Sequence, residues 1–315
     1  MVNGEEKLLR LKKKQKVFEI GKAKIGGRPG ELPTVLVGNV FYKGMPEVIN
    51  HRKGTIDKKA VANWLDISEA LSDRSGVPHI LDVMSMYPEA VRNYILYVSE
   101  KTDSPFMVDG ANPETRIAAL DLIKEIGLQE RVVFNGIDTK TVREELEAIQ
   151  DSNVKAAVII AYNETDYSPE GRLSVLRSSN DHEGLLDVAE RAGIEKALVD
   201  TVVFDVPSIS YAAEAIKLVK KELGYPAGCS PANATYLWKS KLKDSIMREG
   251  FAASNVSAHT IAQCAGADFL IYGPIKQVKN MIPAVAINDA IIAYFAQRQW
   301  GTKPMVKDHP LYKIF

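Results

Sequence analysis

Cysteine is scarce in this chain. Cys229 and Cys264 are the two in 315 residues, and they stand far apart. That excludes a disulfide framework and a four-thiolate metal site, and it fits a reducing compartment, the cytoplasm. Histidine supplies no metal pattern either: His51, His79, His182, His259 and His309 show no His-x-x-x-His pairing, so no metal site is expected. Excess charge of one sign is also missing. With 40 Lys+Arg against 40 Asp+Glu, the formal net charge is zero, and no global field exists to hold nucleic acid or an anionic membrane. Long hydrophobic runs are absent. The most apolar late stretch, "MIPAVAINDAIIAYFA" (281–296), falls short of the run of about 20 residues that a membrane span needs and contains Pro283, Asn288 and Asp289; a buried terminal helix is expected. The basic start, "MVNGEEKLLRLKKKQKVFEI", has its apolar residues broken by Lys and Glu and reads as no signal peptide.

What the chain does have is 46% hydrophobic residues in a regular alternation. One domain over 1–315 is expected, with 1–33 as an N-terminal extension: "KVFEIGKAKIGGRPGELP" reads as a capping hairpin followed by a Gly/Pro loop. From Thr34 onward, short β-rich runs alternate with longer amphipathic ones. The strand candidates are 34–40, 79–85, 105–110, 131–137, 155–163, 196–204, 226–230 and 268–273, the seventh being the shortest. Between them, helices carry apolar stripes such as Ala119, Leu122, Ile123 and Ile126, and Asn112 with Pro113 supplies a cap and a first helical residue. The first strand lacks a Gly-x-Gly-x-x-Gly turn into a helix. An α/β fold closed as a (β/α)8 TIM barrel is therefore preferred to an open doubly wound sheet.

In such a barrel, chemistry sits where strands end. Those positions carry Asn39, Asp82, Asp109, Asn135, Asn163 and Asp200, then Ser230 followed by Asn233. One Asp at a strand end is most simply a helix cap or a structural ion pair; a ring of Asp and Asn weakens that reading for the set. Carboxylates accept parallel N–H bonds and amides both donate and accept, so the ring suits a flat heterocycle with an amino-pyrimidinone edge, as in a pterin.

The segments "KVFEIGKAKIGGRPGELPTVLVGNVFY", "PFMVDGANPETRIAAL", "GLQERVVFNGID", "VKAAVIIAYN", "ALVDTVVFDVPS" and "GCSPANA" carry a resemblance across nearly the whole chain. It resembles the family formed by the H-subunits of tetrahydromethanopterin S-methyltransferase and their bacterial relatives, which move methyl groups between corrinoid proteins and tetrahydrofolate. The resemblance implies a methyltransferase acting between a methylated corrinoid (cobalamin) on a partner protein and N5 of a tetrahydropterin. It places pterin binding on Asp109, Asn135, Asp200 and the "CSPANA" segment with Ser230 and Asn233; the strand-end ring adds Asp82 and Asn163, and Asp109, Asp200 and Asn233 make the expected catalytic set. Here the chain departs from the corrinoid iron–sulfur protein branch, where Asn directly follows Ser: Pro231 and Ala232 separate Ser230 from Asn233, so the group that controls the proton at N5 is not assigned. Tetrahydrofolate is favoured over tetrahydromethanopterin on the neutral charge balance. The alternatives are a tetrahydromethanopterin-dependent H-subunit of a larger complex and a non-catalytic pterin-binding or scaffold protein. A homodimer is expected.

The chain carries no corrinoid motif of its own, since "DHEG" (181–184) has the wrong spacing for Asp-x-His-x-x-Gly. Dihydropteroate synthase, which shares the barrel and pterin pocket, is disfavoured because its Asn-x-Thr-x-Asp-Ser-Phe and Ser-Arg-Lys motifs are missing. Other residues have plainer readings. Cys229 belongs to the barrel wall, while Cys264, Trp64 and Trp238 are packing residues. His79 is structural, and "KLLRLKKKQK" (7–16) is a solvated basic face in preference to a docking surface. Arg28, in the "GGRPG" loop, is a candidate for reaching the mouth or a partner.

Overall fold

Short, largely apolar runs bounded by Gly, Pro and polar residues form the strands, and eight of them close into one ring. The structure is a computed structural model that describes residues 11–180 and 182–315. Two strands, β1 (Val17–Ile20) and β2 (Ala23–Gly26), make the expected antiparallel hairpin. The barrel begins with β3 (Val35–Val40). A small ribbon of β4 (Val48–Asn50) and β5 (Thr55–Ile56) follows, leading into α1 (Lys58–Ser75). Then come β6 (His79–Ser85), α2 (Pro88–Lys101), β7 (Phe106–Gly110), α3 (Pro113–Ile126), β8 (Val132–Ile137), α4 (Arg143–Ser152) and β9 (Ala156–Ile160). The second half holds α5 (Pro169–Ser174), α6 (Leu185–Arg191), β10 (Lys196–Asp200), α7 (Ile209–Glu222), β11 (Ala227–Cys229), α8 (Pro231–Lys241), α9 (Ser245–Glu249), α10 (Phe251–Cys264), β12 (Phe269–Pro274), α11 (Val278–Trp300) and α12 (Pro310–Lys313). The eight strands β3, β6, β7, β8, β9, β10, β11 and β12 pair in parallel, and β12 pairs back onto β3 to close the ring. This is the expected (β/α)8 barrel.

Alternation along each strand sorts its residues between two cores. Val35 and Val37, Ile80, Met107, Val133, Ala156 and Val158, Leu198, Phe269 and Ile271 form the barrel interior. Their neighbours Leu36, Leu81, Val83, Phe106, Val108, Val132, Phe134 and Val199 face the helices in a larger outer core. Ile20, Ala23 and Ile25 of the hairpin belong to the interior cluster, so the hairpin closes the barrel at the ends where the strands begin. A buried ion pair anchors the loop that follows it: Lys220 Nζ lies 2.5 and 2.6 Å from the two oxygens of Asp268, which precedes β12, and donates to the Gly27 carbonyl at 3.0 Å. Gly30 passes so close to α11 that a Cβ there would stand 3.0 Å from Ala293 Cα and Ala296 Cβ. Arg28 therefore sits at the closed end, where its backbone N–H binds Glu31, and does not reach the mouth.

Helix ends follow the local chemistry. Asn112 accepts the Thr115 N–H at 2.9 Å and Pro113 opens α3, while Asp57 accepts the N–H groups of Lys59 and Ala60 to start α1. Three expectations change. Ile126, at the last turn of α3, is exposed. The stretch from Met281 to Ala296 is buried on one face only; Ile287, Ile291, Tyr294 and Phe295 point outward, and α12 follows it. Cys264, read as packing, is exposed on α10, whereas Cys229 is a buried wall residue. Trp64 is partly buried and donates its indole N–H to Glu47 at 2.8 Å, and Trp238 is partly buried on α8. Residues 7–10 of the basic stretch and Asp181 of "DHEG" lie outside the described residues. Among the described residues, no helix is long and apolar enough to cross a membrane, and no group of His, Cys, Asp and Glu is placed to hold a metal.

Candidate functional site

The alternation that fills the barrel with Val, Ile and Met also decides which polar residues enter its open mouth. Asn39 follows Val37, Asp82 follows Ile80, Asp109 follows Met107, Asn135 follows Val133 and Asp200 follows Leu198, each two residues beyond an interior side chain. Register then places Asn39 opposite Asp82 and Asp109 opposite Asn135.

Asp82 is the floor of this cluster. It is 1% exposed, accepts the Asn39 amide at 3.2 Å on one oxygen and the Asn135 amide at 3.5 Å on the other. Burial, then the neighbouring charge of Asp109, push its carboxyl well above the ordinary range, against the Asn135 hydrogen bond. Asp109 differs. Among the described residues its carboxylate takes no hydrogen bond, and it borders a cleft of about 230 Å³ lined also by Phe41, Tyr42, His51, Met84 and Met86. Burial raises its carboxyl to about 6, opposed by the Arg116 guanidinium. Asn39 gives its amide hydrogens to Asp82 and to Met84 Sδ, 2.9 Å away, and its Oδ1 is buried without a partner among the described residues. The Asp109 carboxylate thus borders the cleft as a free acceptor, with the buried Asn39 amide oxygen in the cluster behind it.

Asp200 lies on the same interior face, two strands from Asn135. One of its oxygens accepts the Val202 N–H at 2.7 Å. Its carboxyl is raised to about 6 by burial, opposed by that bond and by Arg172. The remaining expected residues are occupied otherwise. Asn163 lies beyond the end of β9, where its Oδ1 accepts from Thr165 and Asp166 and its amide donates to the Gly171 carbonyl, so it organises its own loop. Ser230 is 6% exposed and donates to the Ile271 carbonyl at 3.2 Å. Asn233 is exposed in the first turn of α8, and its side chain makes no hydrogen bond among the described residues. Asn39, Asp82, Asp109 and Asn135 are brought together; Asn163, Ser230 and Asn233 do not join them.

Comparison with known proteins identifies the lineage. A family model described as the tetrahydromethanopterin S-methyltransferase MtrH subunit matches residues 13–305. The chain belongs to the MtrH family. It is 34% identical to the H-subunit of tetrahydromethanopterin S-methyltransferase from Methanothermobacter thermautotrophicus, over 98% of this chain and 100% of that protein. It is 35% identical to the protein of that name from Methanopyrus kandleri, over 95% of this chain and 97% of that one. The Methanosarcina acetivorans protein of the same name is 32% identical over 98% of this chain and 100% of its own length. Among solved structures, a dihydropteroate synthase from Xanthomonas albilineans aligns with TM-score 0.56 at 18% identity, covering 83% of this chain and 94% of that one. That likeness shows the shared barrel fold.

Sequence reasoning missed several residues of this MtrH-family mouth. Arg116 lies one turn into α3, pairs with Glu145 and donates to the Gly110 carbonyl at 2.9 Å, just past Asp109. Gly110 leaves it room: a Cβ there would stand 2.6 Å from Arg116 Cγ. Arg172 of α5 likewise donates to backbone carbonyls just past Asp200. Tyr162, Tyr167 and Phe204 pack on one another at the rim, with ring centroids 5.5 to 6.2 Å apart. Position after a strand end hints at Arg116. Nothing in "SPEGRLS" distinguishes Arg172 from a surface arginine.

Proposed function

We propose that this chain is a methyltransferase component, one pterin-binding barrel domain acting in the cytoplasm, that takes a tetrahydropterin into the open mouth and exchanges the methyl group at its N5 with a corrinoid carried by a separate protein. The observation that carries this reading is the unpartnered Asp109 carboxylate beside the Asn39–Asp82–Asn135 cluster, facing a cleft. A pyrimidinone edge offers a ring N–H and an exocyclic amine side by side, and an ionised carboxylate accepts both. Asp200, with one oxygen free of hydrogen bonds among the described residues, supplies a second acceptor. The methylated corrinoid would supply the methyl group in one direction, leaving as its Co(I) form, and that Co(I) form would accept it in the other. The chain's own task is to bind and orient the pterin and to control the proton at N5. Asn233, exposed in the first turn of α8, is the residue we put forward for that last role, and Asn163 and Ser230 would support the surrounding loops.

The relatives change the preference between carriers. Charge balance points to tetrahydrofolate, but the H-subunits at 34% and 35% identity are named for tetrahydromethanopterin. We therefore favour tetrahydromethanopterin, with the chain working inside a larger assembly. The outward face of α11, with Ile287 46%, Ile291 59% and Tyr294 53% exposed, gives a homodimer a surface to form on.

The test is calorimetric titration of the protein with tetrahydromethanopterin and with tetrahydrofolate. It is followed by mixing with a methylated corrinoid protein and reading the cobalt absorbance. Binding of one pterin with a spectral change supports the enzyme; binding without any change, given an authentic corrinoid partner, supports a non-catalytic role; no binding of either pterin sinks the reading.

A further inference from the structure

At the end of β10 the backbone turns away from the barrel within two residues. Val202 takes φ 58°, the left-handed region that a β-branched residue adopts only under constraint. The constraints are visible. Thr201 Oγ1 donates to the Ala212 carbonyl at 3.0 Å, the Val202 N–H donates to Asp200, and Arg172 Nη1 donates to the carbonyls of Thr201 at 2.8 Å and Val202 at 3.1 Å.

Arg172 is an unusual residue to find there. Among the described residues, where it is 1% exposed, its Nη2 is buried with no hydrogen-bond partner and no carboxylate lies within 4.0 Å of it. Burying a cation without a paired anion is expensive, and such a group persists where its charge or its fork is used. Arg116 shows the contrast. It holds the strand-end carbonyl beside Asp109 in the same way, yet it has Glu145 as its own partner. Around Asp200, the titratable groups that face it are Arg172 from α5 and the Cys229 thiol from β11, which burial pushes well above its ordinary range. Among the described residues Arg172 is the cation whose charge acts on Asp200, and Asp200, then the Cys229 thiol, act on Arg172.

We propose that Arg172 is a positioning residue: its fork pins the strained Thr201–Val202 turn so that the Asp200 carboxylate is aimed into the mouth, and its charge, more than 4.0 Å from that carboxylate, favours the ionised form. This deepens the pterin-site reading and rests on it. The two halves of the role separate chemically. Lysine keeps the charge and loses the planar fork; glutamine loses the charge.

The experiment compares wild type, Arg172→Gln and Arg172→Lys by carboxyl-carbon NMR titration of Asp200 in the free protein, and by steady-state methyl exchange with tetrahydromethanopterin and tetrahydrofolate. In Arg172→Gln the Asp200 midpoint rises above that of the wild type, because the charge that opposes the effect of burial is gone. The KM for the pterin rises, and part of that loss is recovered on moving to alkaline pH, where Asp200 ionises again. In Arg172→Lys the midpoint stays near that of the wild type, whereas KM rises and alkaline pH restores nothing. An Asp200 titration in Arg172→Gln that coincides with the wild type's overturns the proposal. If that variant does not fold, Arg172→Lys decides, since a wild-type KM there shows that the fork is not needed. A wild-type protein that binds neither pterin removes the reading of the site, while the titration still judges the link between Arg172 and Asp200.

Discussion

Replacing Asp109 by Asn changes one oxygen to an amide and leaves the shape of the mouth intact. If Asp109 accepts the pterin's ring N–H and amine, the new NH2 faces a donor, and binding loses a charge-assisted pair of hydrogen bonds. Bonds to a charged group contribute about 1.5 to 3 kcal/mol, which is roughly a 10- to 150-fold rise in Kd. The same substitution has an opposite effect on the folded state. Asp109 titrates at about 6 in the folded chain against an ordinary value of 3.8, chiefly through burial. Between those values the folded chain binds more protons than the unfolded one, so this group's contribution to stability falls as pH rises through that window and stays lower above it. Asp109→Asn, which has no charge to bury, should melt at a higher temperature than wild type at about pH 8 and at nearly the same temperature at about pH 4. Pterin binding by the wild type should tighten as pH rises through 6, because the acceptors must be ionised. Asp200 also titrates at about 6, so each single Asn variant should remove part of that dependence. Calorimetry across this pH range measures the first effect and differential scanning calorimetry the second. An Asp109→Asn protein that binds the pterin as tightly as wild type, with an unchanged pH profile, would refute the assignment.

Lys220→Met strands the Asp268 carboxylate in the closed end and should cost about 3 to 5 kcal/mol in urea unfolding, much of it regained when Asp268→Leu is added. Ile25→Ala, in a side chain 1% exposed within the barrel interior, should lower stability by about 2 to 5 kcal/mol by the same measurement, because the hairpin completes the interior. If a homodimer forms on the outward face of α11, Ile291→Glu should shift the mass measured by light scattering to that of the monomer, while the barrel stays folded by circular dichroism.

The barrel is legible in the sequence because its signal is redundant. Residues 79–85 and 132–137 are β-rich by composition, bounded by turn residues, and separated by helices with their own caps. Site residues on strands are legible for the same reason: the parity that makes Val37 and Met107 interior makes Asn39 and Asp109 interior. Parity fails past the last paired residue. The apolar pattern puts Asn163 on a strand running to 163, but β9 ends at Ile160, and its side chain is taken by the turn at Thr165 and Asp166. β10 likewise stops at Asp200, because the Asp200 carboxylate captures the Val202 N–H and turns the chain. Arg172 is invisible for a different reason. It acts through backbone carbonyls of another βα unit, and nothing in the residues around it encodes that contact.

The hairpin of β1 and β2 has a consequence for the order of events. With its apolar side chains filling the base and the barrel interior packed above them, the polar cluster opens in one direction only. If a pterin and a protein-borne corrinoid meet over Asp109 as proposed, they share a single doorway. The smaller would then have to enter before the larger arrives and could not leave until the larger withdraws, so methyl exchange should show compulsory-order kinetics, with the pterin first on and last off.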